Sequence, residues 1–200
     1  MNLPITMKIV FASNNQHKLD EIKAIVPNWI EVISLKEAGF NDELLESTGT
    51  IPGNAMQKAR QVYDLLGVPC FADDSGLEVD ALNGLPGVDT AHFAGPEKDS
   101  KKNMEKLLKQ LEGARDRGAR FVTVIAYKAE DQEYIFEGEI KGTISNTPTG
   151  NGGFGYDPVF IPSDHKISFA SMAPELKYGM SHRTRAMQQF IKFLQERSLN

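Results

Sequence analysis

Two hundred residues, 40% of them hydrophobic, suffice for one globular domain, or one domain with a sub-lobe, around a single core. Charged residues make up 24% and the net charge is -5, which argues against a sequence-independent nucleic-acid binder, since that would need a basic face, while a small phosphorylated ligand served by local lysines remains open. The lone cysteine, Cys70, excludes an intramolecular disulfide and a Cys-rich zinc site, and no run approaches the roughly 18 apolar residues of a membrane span. The opening six residues are too short and uncharged for a secretion signal, which points to the cytoplasm. Met7 is an alternative start, so residues 1–6 read as a disordered extension of one domain covering 1–200.

In chain order, residues 8–12 form an apolar strand, and Ser13-Asn14-Asn15 breaks it before Leu19, Ile22 and Val26 recur at helical spacing. A second strand covers 29–35, and an acidic, flexible loop covers 41–52. From Gly53, residues Ala55, Ala59, Val62 and Leu66 mark one face of a helix that Gly67 and Pro69 end. Residues 68–72 read as a buried strand stopping at Asp73-Asp74, with Gly76 for a sharp turn, and 78–82 as the next strand. A helix with Met104, Leu107, Leu108 and Leu111 inward follows, then a long hairpin from 121–127 and 134–144. A glycine-rich loop at 150–155, a short strand at 159–161 and a final helix with Ala186, Phe190, Phe193 and Leu194 inward complete the chain. Interleaved strands and helices with a late hairpin predict an α/β fold on a mixed sheet.

Four stretches could carry chemistry. Asp73 and Asp74, delivered together at a strand end, repel unless a cation such as Mg2+ sits there, with Ser75 adding a hydroxyl; the bland alternative is an Asx-type turn. Ser13, Asn14, Asn15, Gln16, His17 and Lys18 lie between strand and helix, where backbone N–H groups and a lysine suit a phosphate, or where Ser13 or Asn14 merely caps the helix. Gly150-Asn151-Gly152-Gly153-Phe154-Gly155 matches G-x-G-x-x-G, yet no helix pattern follows, so a dinucleotide site is rejected; its glycines let backbone approach a ligand, with Phe154 as a stacking face, or form a plain hairpin exit. Lys177, His182 and Arg183 surround Ser181 near a helix start and call for a compensating anion, either a phosphate or a carboxylate from elsewhere in the fold. Glu46, in the acidic loop, is by default exposed, but it could reach back toward Asp74.

Together, Ser13-Asn14-Asn15 with Lys18, Asn54-Ala55 with Lys58-Ala59, Ala72 through Leu77, Gly152 through Pro158, and Ser181-His182-Arg183 resemble the inosine triphosphate pyrophosphatase, or Ham1-like, family of non-standard purine nucleotide pyrophosphatases. The match runs through nearly the whole chain in the family's order. The resemblance implies an elongated mixed sheet flanked by helices, two lobes with a central nucleotide cleft, and a homodimer. It implies hydrolysis of ITP, dITP and XTP to the monophosphate and pyrophosphate, with Asp74 as general base and Lys58 near the phosphates. Mg2+ would be held by Asp74 and Glu46. Ser13 to Lys18, Ser75, Phe154, Gly155, Tyr156, Asp157, Lys177, His182 and Arg183 would contact the nucleotide. The family's Gly-Val-Tyr-Ser-Ala-Arg stretch is altered here, where Asp89 and His92 replace the Tyr and the Arg, and the spacing from Gly49 to Asn54 is about one residue short. Two rivals stay open: a Maf-like pyrophosphatase for pyrimidine or modified nucleotides, and a non-catalytic nucleotide-binding module.

Overall fold

The computed structural model describes residues 7–198; the extension read at residues 1–6 lies outside them. Its elements are β1 (Met7–Phe11), α1 (Gln16–Lys23), β2 (Ile30–Ser34), α2 (Ile51–Leu66), β3 (Cys70–Val79), β4 (Pro86–Gly87), α3 (Ser100–Gln110), β5 (Gly118–Ala129), β6 (Gln132–Ile144), β7 (Phe160–Pro162), α4 (Pro174–Met180) and α5 (His182–Ser198). The strands join in the order β2-β1-β3-β5-β6-β7, with β4 paired to β3. β1 runs parallel to β2 and β3, whereas β3–β4 and β6–β7 are antiparallel, so the sheet is mixed as the element pattern predicts.

The described residues divide into two compact units, one of residues 7–74, 124–138 and 183–198, the other of 75–123 and 139–182. Each has its own apolar cluster, where composition alone predicts one core. In the first unit Ile9, Phe11, Phe71, Ile125 and Tyr127 from the strands pack with Leu19 and Ile22 of α1 and with Ala186, Met187, Phe190 and Leu194 of α5. In the second, Leu77, Val79, Phe121, Ile140 and Ile144 pack with Leu107 and Leu111 of α3 and with Tyr156, Phe160 and Phe169.

Three local expectations change. β3 does not stop at Asp73-Asp74: it runs ten residues through Gly76 to Val79, and residues 80–82 form a 3-10 turn instead of a further strand. Ladder pairing and a buried Leu77 and Val79 beyond the acidic pair carry the strand on, so the apolar run is one strand interrupted by charge. α4 is an additional helix before the final one, with Pro174 in its first turn, where proline's missing N–H costs nothing. The acidic loop lies lashed along α2, since Gln61 Oε1 accepts from Leu45 N at 2.9 Å and Gln57 Oε1 accepts from Ser47 N at 2.8 Å.

Candidate active site

Strand alternation builds the first unit's polar cluster. Phe71 sits with the α1–α5 core, so Asp73, two residues on, points to the same face, while Cys70 and Asp74 point to the other. Cys70 Sγ reaches Ala59 O of α2 at 3.1 Å, and Asp74 Oδ1 lies 3.4 Å from Lys58 Nζ on the same helix. Asp73 instead meets Lys18 Nζ of α1 at 3.1 Å and Arg183 Nε of α5 at 3.2 Å. The adjacent carboxylates therefore point to opposite faces and are hydrogen-bonded to different cations, although the fields of Lys18 and Lys58 reach both. Their mutual repulsion is relieved by geometry as well as by charge.

Arg183 is 1% exposed, and its Nη1 also pairs with Glu21, itself 6% exposed. Of the two anions that the cations around Ser181 call for, the fold supplies carboxylates, Glu21 and Asp73. Burial alone would raise Asp73, but Lys18, Arg183 and Lys58 outweigh it and hold its carboxyl far below the usual range. Asp74 differs. Burial pushes it upward, Lys58 and Lys18 offset this only in part, and Glu46 and Asp73 add to the rise. Burial likewise lowers Lys18 against the pull of Asp73, whereas for Lys58 the attraction of Asp74, Asp73 and Glu46 exceeds the cost of burial and raises it. Lys58 Nζ also contacts Glu46 Oε1, and Asp74 Oδ2 is buried without a hydrogen-bond partner among the described residues. A carboxylate with one engaged oxygen and one unmet, kept basic by burial, is equipped to accept a proton or a cation.

The second unit holds a different cluster. Lys177 Nζ of α4 donates to Asp157 Oδ2 at 2.6 Å and lies 5.1 Å from the Phe154 ring centroid and 5.5 Å from that of Phe169. Asp157 Oδ2 also accepts from Phe154 N at 2.8 Å, which folds the glycine loop back on itself. The close approach that the glycines permit at Gly150 and Gly153 is to the chain itself: both have positive φ, and a Cβ would stand 2.4 Å from Ala170 C at Gly150 and 1.9 Å from Asp157 Oδ2 at Gly153. The loop leads to β7 and not to a helix, in keeping with the rejected dinucleotide reading. Tyr156 is buried with its hydroxyl donating to Thr90 O at 3.0 Å, burial pushes its phenol upward, and Ser75 Oγ shares a 2.7 Å bond with Thr123 Oγ1. The His182 ring stacks on Phe121 at 4.7 Å.

A model of the Ham1 family matches residues 9–193. The chain belongs to that family. Over 188 residues this Ham1-family chain is 47% identical to a dITP/XTP pyrophosphatase of Flavobacterium johnsoniae, covering 94% of its own length and 98% of the relative's. It is 46% identical to a dITP/XTP pyrophosphatase of Porphyromonas gingivalis, covering 94% and 97%. Among solved structures, the Staphylococcus aureus Ham1 protein superposes with a TM-score of 0.86 at 38% identity, and a Ham1 protein from Coxiella burnetii with 0.87 at 36%, each covering 96% of this chain and 100% of the other.

The Ham1-family motifs read from sequence thus separate by unit. In the first, Lys18 and Arg183 meet at Asp73 while Glu46 and Asp74 meet at Lys58, and in the second Phe154, Asp157 and Lys177 meet. In the turn before α1 the cap is Asn15, whose Oδ1 accepts from Lys18 N at 3.2 Å, one residue beyond the expected Ser13 or Asn14. Ser13 Oγ accepts from Asn15 N at 3.2 Å, Asn14 donates to Asp42 O at 3.1 Å, Gln16 to Asp20 at 2.6 Å, and His17 is exposed. Sequence reasoning passed over Glu21 and Thr123. Glu21 sits beside the apolar Leu19 and Ile22 on α1 and looks like an ordinary helix-surface partner of Lys18, while Thr123 is the one hydroxyl in the apolar run 121–126.

Proposed function

We propose that this protein hydrolyses ITP, dITP and XTP to the nucleoside monophosphate and pyrophosphate with Mg2+, cleansing the nucleotide pool. The reading takes it as one domain acting as a homodimer in the cytoplasm, without nucleic-acid or membrane partners. The observation that carries it is Asp74: a buried carboxylate of raised basicity, one oxygen unpartnered, with Lys58 beside it and Lys18 within its field. Asp74 takes the proton from the water that attacks the α-phosphorus, and Lys18, Lys58 and Lys177 stabilise the charge on the departing pyrophosphate. Among the described residues no group of three or more His, Cys, Asp or Glu could hold a metal. Two carboxylates are nevertheless enough for Mg2+, which keeps several waters and takes further oxygens from substrate phosphates, so the unmet Asp74 Oδ2 with Glu46 fits that ion. When bound, Mg2+ would neutralise charge developing on the phosphates.

Ser13, Asn14, Asn15, Gln16 and His17 are assigned to the phosphates on the family resemblance, and Ser75, Phe154, Gly155, Tyr156, Asp157, Lys177, His182 and Arg183 to contact with the nucleotide. Discrimination against adenine follows if donors, Arg183 or backbone N–H groups, face the purine O6: an amino group there leaves them unpaired. The test is one panel of nucleoside triphosphates with Mg2+, monophosphate and pyrophosphate being quantified. IMP with stoichiometric pyrophosphate from ITP, and far slower release from ATP, is expected. Preference for UTP would favour the Maf-like alternative, and calorimetric binding of ITP without product would reduce the protein to a nucleotide-binding module.

A further inference from the structure

Lys58 stands where a divalent cation would be sought. Its Nζ touches Glu46 Oε1 and lies 3.4 Å from Asp74 Oδ1, and its side chain is 7% exposed. Both ends of this arrangement are held. Lys58 projects from α2 between the buried Ala55 and Ala59, and the loop bearing Glu46 is tied to the same helix at Leu45 by Gln61 and at Ser47 by Gln57. One ammonium between two carboxylates still leaves one negative charge, and it leaves Asp74 Oδ2 buried and unmet. A monovalent donor thus satisfies the pair incompletely, and a hard divalent ion would satisfy it better.

We propose that Lys58 is an internal counter-cation that competes with the divalent ion for Glu46 and Asp74 in the nucleotide-free protein. The inference rests on the metal-ligand assignment above and adds the order of events. An ammonium and a divalent ion on the same two carboxylates repel at close range, so the ion binds weakly until Lys58 has another anion to move to. The phosphates of the nucleotide are that anion. Metal and nucleotide then bind cooperatively, and because coupling free energy is reciprocal each tightens the other. The arrangement keeps Glu46 and Asp74 partly neutralised while the protein waits for substrate and favours the ion that arrives with phosphate.

The test uses Mn2+ alone, titrated by electron paramagnetic resonance into nucleotide-free wild type, Lys58→Met and Lys58→Arg. The Met variant should bind Mn2+ about tenfold tighter than wild type, within the usual span of coupling between sites, and the Arg variant should stay close to wild type. A Met variant that binds Mn2+ no better than wild type overturns the proposal. Should Lys58→Met fail to fold, reductive methylation of the wild type followed by peptide mass spectrometry takes its place: saturating Mn2+ should raise labelling of Lys58, and unchanged or reduced labelling overturns the proposal. The metal-ligand assignment fails separately, if Glu46→Gln and Asp74→Asn leave Mn2+ affinity unchanged. Wild type that hydrolyses ITP while Lys58→Met gains no Mn2+ affinity removes the competitor role alone.

Discussion

Asp73→Asn is the most informative perturbation, because it preserves shape and removes one charge from the most enclosed part of the first unit. Asp73 is fully buried and receives Lys18 Nζ at 3.1 Å and Arg183 Nε at 3.2 Å. Each contact corresponds to about 5 kcal/mol at an effective dielectric of about 20, and desolvation of the carboxylate offsets several kcal/mol of that. Removing one member of a buried network leaves its partners uncompensated, so the net loss should be about 3–5 kcal/mol. For a chain of this length that lowers the melting temperature by about 6–20 °C. Urea titration at neutral pH, followed by circular dichroism, measures it. The pH dependence follows from Asp73 lying below its ordinary value of 3.8 in the folded protein. Its contribution is complete above the unfolded value and is lost as pH falls through the folded one, so the gap between wild type and variant should be flat from about pH 8 to 5 and close only at lower pH. A gap under about 1 kcal/mol at pH 7 would place Asp73 among weak surface-like pairs and refute the argument.

Asp74→Asn should behave differently. Its carboxylate is raised by burial, so its own charge opposes folding at neutral pH, while its removal takes one of two carboxylates from buried Lys58; the two effects offset, so the variant should melt close to wild type while pyrophosphate release from ITP falls by about a hundredfold or more. Retained turnover would remove it as the base. Gly153→Ala combines a φ of +67° with a Cβ 1.9 Å from Asp157 Oδ2. It should displace that carboxylate from Phe154 N and Lys177, destabilise the protein by about 1–3 kcal/mol, and raise KM for ITP more than it lowers kcat. A variant with unchanged KM and melting temperature would show that the loop does not need the conformation.

The sequence by itself determined most of the strand and helix order, the mixed sheet and the residues worth suspecting, because alternation, helical spacing and turn residues act over a few positions and survive without knowledge of the fold; the strand read at 78–82 and the missed α4 are the exceptions. Lys18, Asp74 and Lys177 were legible as chemistry from their places at a strand end or near a helix start, where charge attracts or calls for a counter-ion, whereas Lys58 was legible only through the family resemblance. Only the tertiary structure decided which charge answers which. Strand parity sends Asp73 to Lys18 and Arg183 and Asp74 to Lys58, and Glu21 becomes the partner of Arg183 from 162 residues away. Those pairings depend on which elements pack against each face of β3, a long-range outcome that no local pattern encodes.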